Sequence, residues 1–244
     1  NQAYFGSNIL RHTNGTLIHA GAHANAPGDP GNDARPWKMG SCCFAGAWDA
    51  AAGDYRWTAG ARVEISPDRS SRGLMEPDAA ELADGRVLVV WRGSNTATTP
   101  GRKWFAVSAD GGKTLGEVRE LQYDDGTSFY SPSSYHRMIR HGVTGKLYWI
   151  GNISEVEPKG NWPRYPLVIA ELDEATPAIR KRTVTAIDDR RDGQGDQIQF
   201  SNFSLLENRE TRELELYLTA YGESGENGAS VFSADAYRYV ARVK

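Results

Sequence analysis

The chain has 244 residues, a net charge of −3, and 39% hydrophobic against 24% charged residues. That is enough apolar material for one large all-β domain or two small ones, and acidic and basic residues are interspersed rather than gathered on a basic face. No nucleic-acid partner is expected, and no apolar run approaches the ~20 residues of a membrane span.

In chain order, Asn8 to Ile18 reads as a hairpin: an apolar strand, an Asn14-Gly15 turn, an apolar strand. Asn-Gly and Asp-Gly pairs supply the positive φ that a two-residue hairpin turn needs. A polar loop rich in Gly, Pro, Asp and Asn follows over 25–39, then strand material at Ser41 to Trp48 and Tyr55 to Ile65. Within it Cys42 and Cys43 are adjacent, a spacing that disfavours a mutual bridge, so both are expected as small buried hydrophobes. Met75 to Ser94 repeats the hairpin around Asp84-Gly85, with Glu76 at its start and Arg92 at its end, 16 positions apart in sequence. Antiparallel pairing brings those two ends together. Asp78, two residues after Glu76, is expected on the same strand face.

Strands are expected next at Lys103 to Ser108 and Gly116 to Leu121. Tyr135 to Ile150 is a third hairpin, turning near Gly145, followed by strands at Tyr165 to Leu172 and Arg182 to Ile187. Phe203 to Leu218 is the fourth, turning near Arg212, with strands at 230–232 and Tyr237 to Val243. The turn anchors at 15, 85, 145 and 212 are 70, 60 and 67 residues apart, a quasi-period carried by strands. Such a period predicts an all-β β-propeller of four-stranded antiparallel blades, about four of them, over residues 4–65, 73–122, 131–187 and 197–243, in a single domain. No helix is expected, since Pro177 interrupts the one candidate stretch. The acidic loop Asp188 to Asp196 lacks the spacing of a calcium loop and reads as a solvated turn, so no metal and no cofactor are expected.

Ser108-Ala109-Asp110-Gly111-Gly112-Lys113-Thr114-Leu115 resembles the Asp-box, S-x-D-x-G-x-T-W, of sialidases and related propellers, with Leu115 where Trp is usual. Met75–Ser94 resembles the sialidase hairpin E-x-x-x-x-E-L-x-D-G-x-L…R. The resemblance implies that Glu76 polarises a catalytic tyrosine and that Arg92 belongs to a triad gripping the substrate carboxylate. Pro163-Arg164-Tyr165-Pro166-Leu167 looks like the strand carrying a second triad arginine and so nominates Arg164. Phe200-Ser201-Asn202-Phe203 falls on the segment of the nucleophilic tyrosine, with Phe200 in its position. The F-R-I-P motif with the first triad arginine, and the aspartic acid after it, have no match. A six-bladed family pattern against four repeats implies either upstream blades or a relative that has departed from the pattern.

The resemblance implies a sialidase-like exo-glycosidase acting on terminal acidic sugars, with altered or lost activity in these residues. Glu76 and Asp78 are the candidate catalytic carboxylates. Arg92, Arg164, Arg137, Asn202, Phe200 and Trp91 are the candidate substrate-binding residues, expected to converge where the inner strands meet. Tyr135 and Tyr221 are the nearest alternative hydroxyls. Trp37, Trp149 and Trp162 suit sugar stacking or inter-blade cores alike. His19, His23 and His136 read as structural, although they are also the candidate bases of the alternative uronate-lyase reading. A non-catalytic glycan-binding propeller is the other alternative. The expected partner is an acidic glycan, which favours an extracellular or periplasmic location. The sequence carries no signal-peptide pattern, and its start at Asn1 without Met is compatible with a removed leader. It leaves the oligomeric state open.

Overall fold

The computed structural model describes residues 3–6, 8–24, 38–223 and 234–243. The protein is all-β, built of antiparallel meanders of the β-propeller type, and its one helical turn among the described residues is a 3-10 turn at Lys181–Thr183. The chain divides into two compact units, Asn1–Leu121 and Gln122–Lys244. The division falls between the second and third sequence repeats, so each unit holds two sheets.

The first sheet of unit 1 comprises β1 (Ala3–Phe5), β2 (Leu10–Arg11), β3 (Leu17–Ala24), β4 (Met39–Asp49) and β5 (Asp54–Ala59). Its order is β1-β3-β4-β5, and β2 also pairs with β3, so the innermost strand comes in two pieces. Tyr4 lies opposite Ala22, and Leu10 opposite Ile18. The second sheet has β6 (Met75–Glu81), β7 (Val87–Arg92), β8 (Lys103–Ser108) and β9 (Arg119–Glu120) in that order. Strand alternation sends Ile18, Ala20 and Cys43 from one sheet, and Val87, Val89, Trp91, Trp104 and Ala106 from the other, into a common core. Cys42 and Cys43 are free and buried in β4, and burial pushes the Cys43 thiol up to about 12.

The Asp-box is the turn that leaves β8. The Asp110 carboxylate accepts from the Thr114 backbone N–H at 2.9 Å and from its hydroxyl at 2.6 Å, and the Ser108 hydroxyl accepts from Gly112 N–H at 2.8 Å. The Thr114 hydroxyl and N–H hold the Asp110 carboxyl down to about 2. Leu115, in the position of the usual Trp, packs on the unit 1 core.

Unit 2 opens with β10 (Arg137–Arg140), β11 (Leu147–Asn152), β12 (Leu167–Asp173), β13 (Ala178–Ile179) and β14 (Thr185–Asp188), where β12 pairs with β11, β13 and β14. The strand expected from Arg182 starts at Thr185, because the 3-10 turn occupies its first residues. The last sheet is β15 (Ser204–Glu207), β16 (Leu214–Thr219) and β17 (Ala236–Ala241). The strand expected over 230–232, the 25–37 part of the first polar loop and Trp37 lie outside the described residues. Ile150, Leu167, Ile198, Phe200, Phe203, Leu214 and Leu216 form the core of this unit.

Candidate functional site

In unit 1 the candidate residues gather at one end of the second sheet, where β6 begins, β7 ends and β8 begins. Glu76 and Arg92 meet there: the Arg92 Nη1 donates to Glu76 Oε1 at 2.6 Å. The Arg92 side chain is 7% exposed and that of Glu76 22%. A charge-assisted bond so screened from water is stronger than its surface counterpart. The pairing implied by a separation of 16 residues is therefore realised.

The backbone beneath it is irregular. The β6–β7 register shifts between Met75 and Asp78, and Glu76 has φ +42. An extra residue sits in the strand as a bulge, which re-aims side chains. The two-residue alternation that would put Asp78 on the face of Glu76 does not pass through it. Asp78 pairs with Val90 and is 1% exposed, a buried carboxylate rather than one facing solvent beside Glu76. Trp91 is fully buried in the unit 1 core, so its ring packs between sheets instead of meeting a ligand.

Two residues outside the sequence reasoning lie within electrostatic range of this group. Burial, and then the Arg92 charge, push the Arg72 guanidinium below its ordinary value, while Tyr4 and Glu76 pull it up. Arg72 precedes the tight Gly73 turn (φ +74), a signal that reads as loop punctuation and gives no hint of a second guanidinium. Tyr4 belongs to β1, a three-residue strand too short to register as a sequence pattern.

In unit 2 the candidates take the corresponding end of their own sheets. Arg137 begins β10, Asn152 ends β11, and Arg164 and Asn202 stand just before β12 and β15. Arg164 is 7% exposed, donating to Gln199 Oε1 at 2.6 Å and to the Ser133 carbonyl at 3.1 Å, with Trp162 beside its guanidinium at 5.2 Å. The fully buried Asn152 reaches the carbonyls of Arg164 (3.0 Å), Pro166 (3.2 Å) and Phe200 (3.0 Å), tying the arginine segment to the segment after it. Asn202 adopts φ +56 at the turn into β15. The Arg137 Nη1 donates to the Tyr135 hydroxyl at 3.5 Å.

Phe200 is 1% exposed in the unit 2 core, and its N–H donates to the Arg164 carbonyl at 3.0 Å. The position where the resemblance expects a nucleophilic tyrosine therefore presents no hydroxyl and no exposed ring. His19 shares a 2.8 Å bond with the Gly6 carbonyl, His23 a 3.1 Å bond with the Ala24 carbonyl, and His136 is fully buried against Trp149.

No protein-family model and no curated protein matches the chain. Solved structures do. A protein of unknown function from Dyadobacter fermentans is similar over 95% of this chain and 51% of its own, at 14% identity and a TM-score of 0.58. A variant of the NanB sialidase from Streptococcus pneumoniae is similar over 95% of this chain and 30% of its own, at 14% identity and a TM-score of 0.56. An N-acetylgalactosamine deacetylase from F. plautii, solved with blood group B trisaccharide, is similar over 98% and 71%, at 10% identity and a TM-score of 0.57. The chain thus spans about half the length of the first and under a third of the sialidase. At such identities the likeness is one of fold, and the fold is the one found in sialidase structures.

Proposed function

We propose that this chain is the anion-recognising part of a sialidase-like propeller whose parent acts on terminal acidic sugars of glycans, and that these 244 residues bind such sugars without turning them over. The observation that carries the reading is the Glu76–Arg92 pair, a shielded guanidinium held by a carboxylate on a bulged strand end. Arg164 supports it, being buried and fixed by Gln199 and Ser133, as a preorganised cation should be. A guanidinium fork suits a carboxylate because two parallel N–H groups match its two oxygens.

The chemistry explains the expected lack of turnover. An anionic sugar repels a carboxylate nucleophile, so sialidases attack with a tyrosine that starts neutral. Phe200 cannot supply that hydroxyl, and its burial in the core favours binding over hydrolysis. The uronate-lyase reading needs an accessible base, and the bonded His19 and buried His136 give it little support.

The test is titration calorimetry of this chain with a methyl α-sialoside, a methyl glucuronide and a neutral methyl galactoside, beside a fluorogenic sialoside assay. Binding confined to the acidic sugars with no released fluorophore is expected. A preference for the neutral sugar would overturn the arginine clamp. Hydrolysis that vanishes in Glu76→Gln would overturn the binding-only reading and turn attention to Tyr221 or Tyr135.

A further inference from the structure

We infer that the outward face of the first sheet carries a glycan site of its own, a ridge of Trp48, Tyr55 and Trp57 that takes a neutral pyranose chain by stacking. The ridge shares no residue with the Glu76–Arg92 group and does not rest on the reading of that pair.

Two-residue alternation along the strands builds the ridge. Across β4 and β5, Trp48 lies opposite Tyr55 and Trp57 opposite Gly46. All three aromatic side chains therefore leave the sheet on the face away from Ile18, Ala20 and Cys43, which point into the core. Gly46 is what lets the Trp57 indole lie down. A Cβ on this glycine would be 3.1 Å from Cδ2, Cε2 and Cη2 of the indole alike, so the six-membered ring covers Gly46 face-on. One face of the indole rests on backbone and the other is turned to water, with Trp57 45% exposed. Trp48 is 57% exposed and meets Tyr55 edge-on, ring centroids 5.2 Å apart. Tyr55 in turn lies 6.3 Å from Trp57. Both spacings are those of rings in contact, so the three form one continuous surface.

Two features of this surface select its occupant. The first is charge. The next side chains on the same face are Phe44 and Ala59, an opposed pair, while Asp49 and Arg56 bond each other on the opposite face. The strands that carry the rings thus offer no counter-ion beside them, and a charged ligand would lose hydration there without compensation. A neutral ligand complements the face. The second feature is polarity at the ring edges. Among the described residues, the Tyr55 hydroxyl and the Nε1–H groups of Trp48 and Trp57 have no protein hydrogen-bond partner. Rings with such donors at their rims suit a ligand that is apolar on its face and hydroxylated around its edge. A pyranose with equatorial hydroxyls has that form, because its C–H groups line the two ring faces. A β-linked glucan or xylan repeats the pattern along its length, as the ridge repeats its rings. An aliphatic protein surface would cover the rings and leave the three donors unanswered.

The experiment titrates cellohexaose, xylohexaose and a galacturonic acid hexamer into the intact chain by calorimetry, for the wild type, Trp48→Ala, Trp57→Ala and Trp57→Phe. Binding of a neutral hexamer by the wild type is expected, with cellobiose weaker than cellohexaose because it spans fewer rings. Each alanine variant should weaken binding by about tenfold, the loss of one stacking contact. Trp57→Phe keeps a ring over Gly46 and should recover most of the affinity. Trp57→Ala uncovers that glycine, so Trp48→Ala, which leaves the contact in place, is the readout if Trp57→Ala folds poorly. A wild-type chain that binds neither neutral hexamer overturns the site, as does binding that neither alanine variant weakens. Tighter binding of the galacturonic acid hexamer overturns the assignment to a neutral glycan. Self-association of the wild type in sedimentation, abolished by Trp48→Ala, would assign the face to a second copy of the chain and overturn the glycan reading.

Discussion

Glu76 combines a functional-type side chain with a costly backbone. At φ +42 its Cβ crowds the neighbouring carbonyl, a conformation that costs a non-glycine residue roughly 1–2 kcal/mol. Such a cost persists where surrounding structure over-determines the site, and here the bulge and the Arg92 bond do so. Glu76→Gly should therefore be more stable than Glu76→Ala by about 1 kcal/mol, the reverse of the order at a regular strand position. Urea unfolding of the two variants decides it, and Ala above Gly would mean that the backbone there is not strained. The same residue marks the limit of what the sequence reveals. The pairing of Glu76 with Arg92 was legible, because charged residues at both ends of a hairpin must approach one another. The bulge between them was not, since nothing in Glu76-Pro77-Asp78 announces an extra residue, and strict alternation from Glu76 to Asp78 does not pass through it. Arg72 and Tyr4 were hidden for another reason: Tyr4 packs on Met39 and Met75, and the Arg72 carbonyl accepts from the Met39 N–H, contacts between distant segments.

Among the elements, the hairpins were the most legible. Gly15 (φ +89), Gly85 (φ +84) and Gly145 (φ +68) occupy turns that require positive φ, and the fourth turn uses Arg212 at φ +63. A glycine in such a turn is a local signal, readable without knowing the rest of the fold. The split inner strand and the division into two units depend on long-range pairing and are not written locally. The Asp-box lies between these cases, because its bonds are local while its position depends on the core. Gly111 (φ +72) and Gly112 (φ +88) both need their conformation, yet they differ in surroundings. A Cβ on Gly111 meets nothing within 4 Å, whereas one on Gly112 comes within 2.9 Å of the Cys43 Cβ, packed in the core. Gly111→Ala is expected to cost about 1 kcal/mol of backbone strain alone. Gly112→Ala adds overpacking of roughly 1–3 kcal/mol. In a protein of this size that difference separates the two melting temperatures by several degrees. Equal melting temperatures would show that the Asp-box turn does not dock on β4.

At the scale of the whole molecule, each unit has a core of its own and each anchors carboxylates with depressed pKa values. Asp110 in unit 1, and Asp125 and Glu215 in unit 2, are all held down to about 2. Their ordinary values are 3.8, 3.8 and 4.5, so the unfolded chain binds protons first as pH falls. The stability they contribute is fully present above about pH 5 and is lost as pH drops toward 2. The causes differ between the units. Asp110 owes its shift first to the Thr114 hydroxyl and N–H, which are neutral donors. Asp125 owes it first to Lys181, and Glu215 first to Arg238. Salt screens exposed ion pairs over a Debye length of about 10 Å at 0.1 M and about 3 Å at 1 M, but leaves short neutral hydrogen bonds largely intact. Melting temperature followed from pH 7 to pH 2 should therefore fall below pH 5, and fall less steeply in 1 M salt. Glu215→Gln should reduce the acid slope more at low salt than at high salt, where the Tyr217 and Asn208 bonds to this carboxylate remain, whereas Asp110→Asn should reduce it equally in both. An acid slope indifferent to salt in the wild type would mean that Lys181 and Arg238 do not hold these carboxylates. An Asp110→Asn effect that salt abolishes would mean that the Asp-box carboxylate is held by charge rather than by its turn.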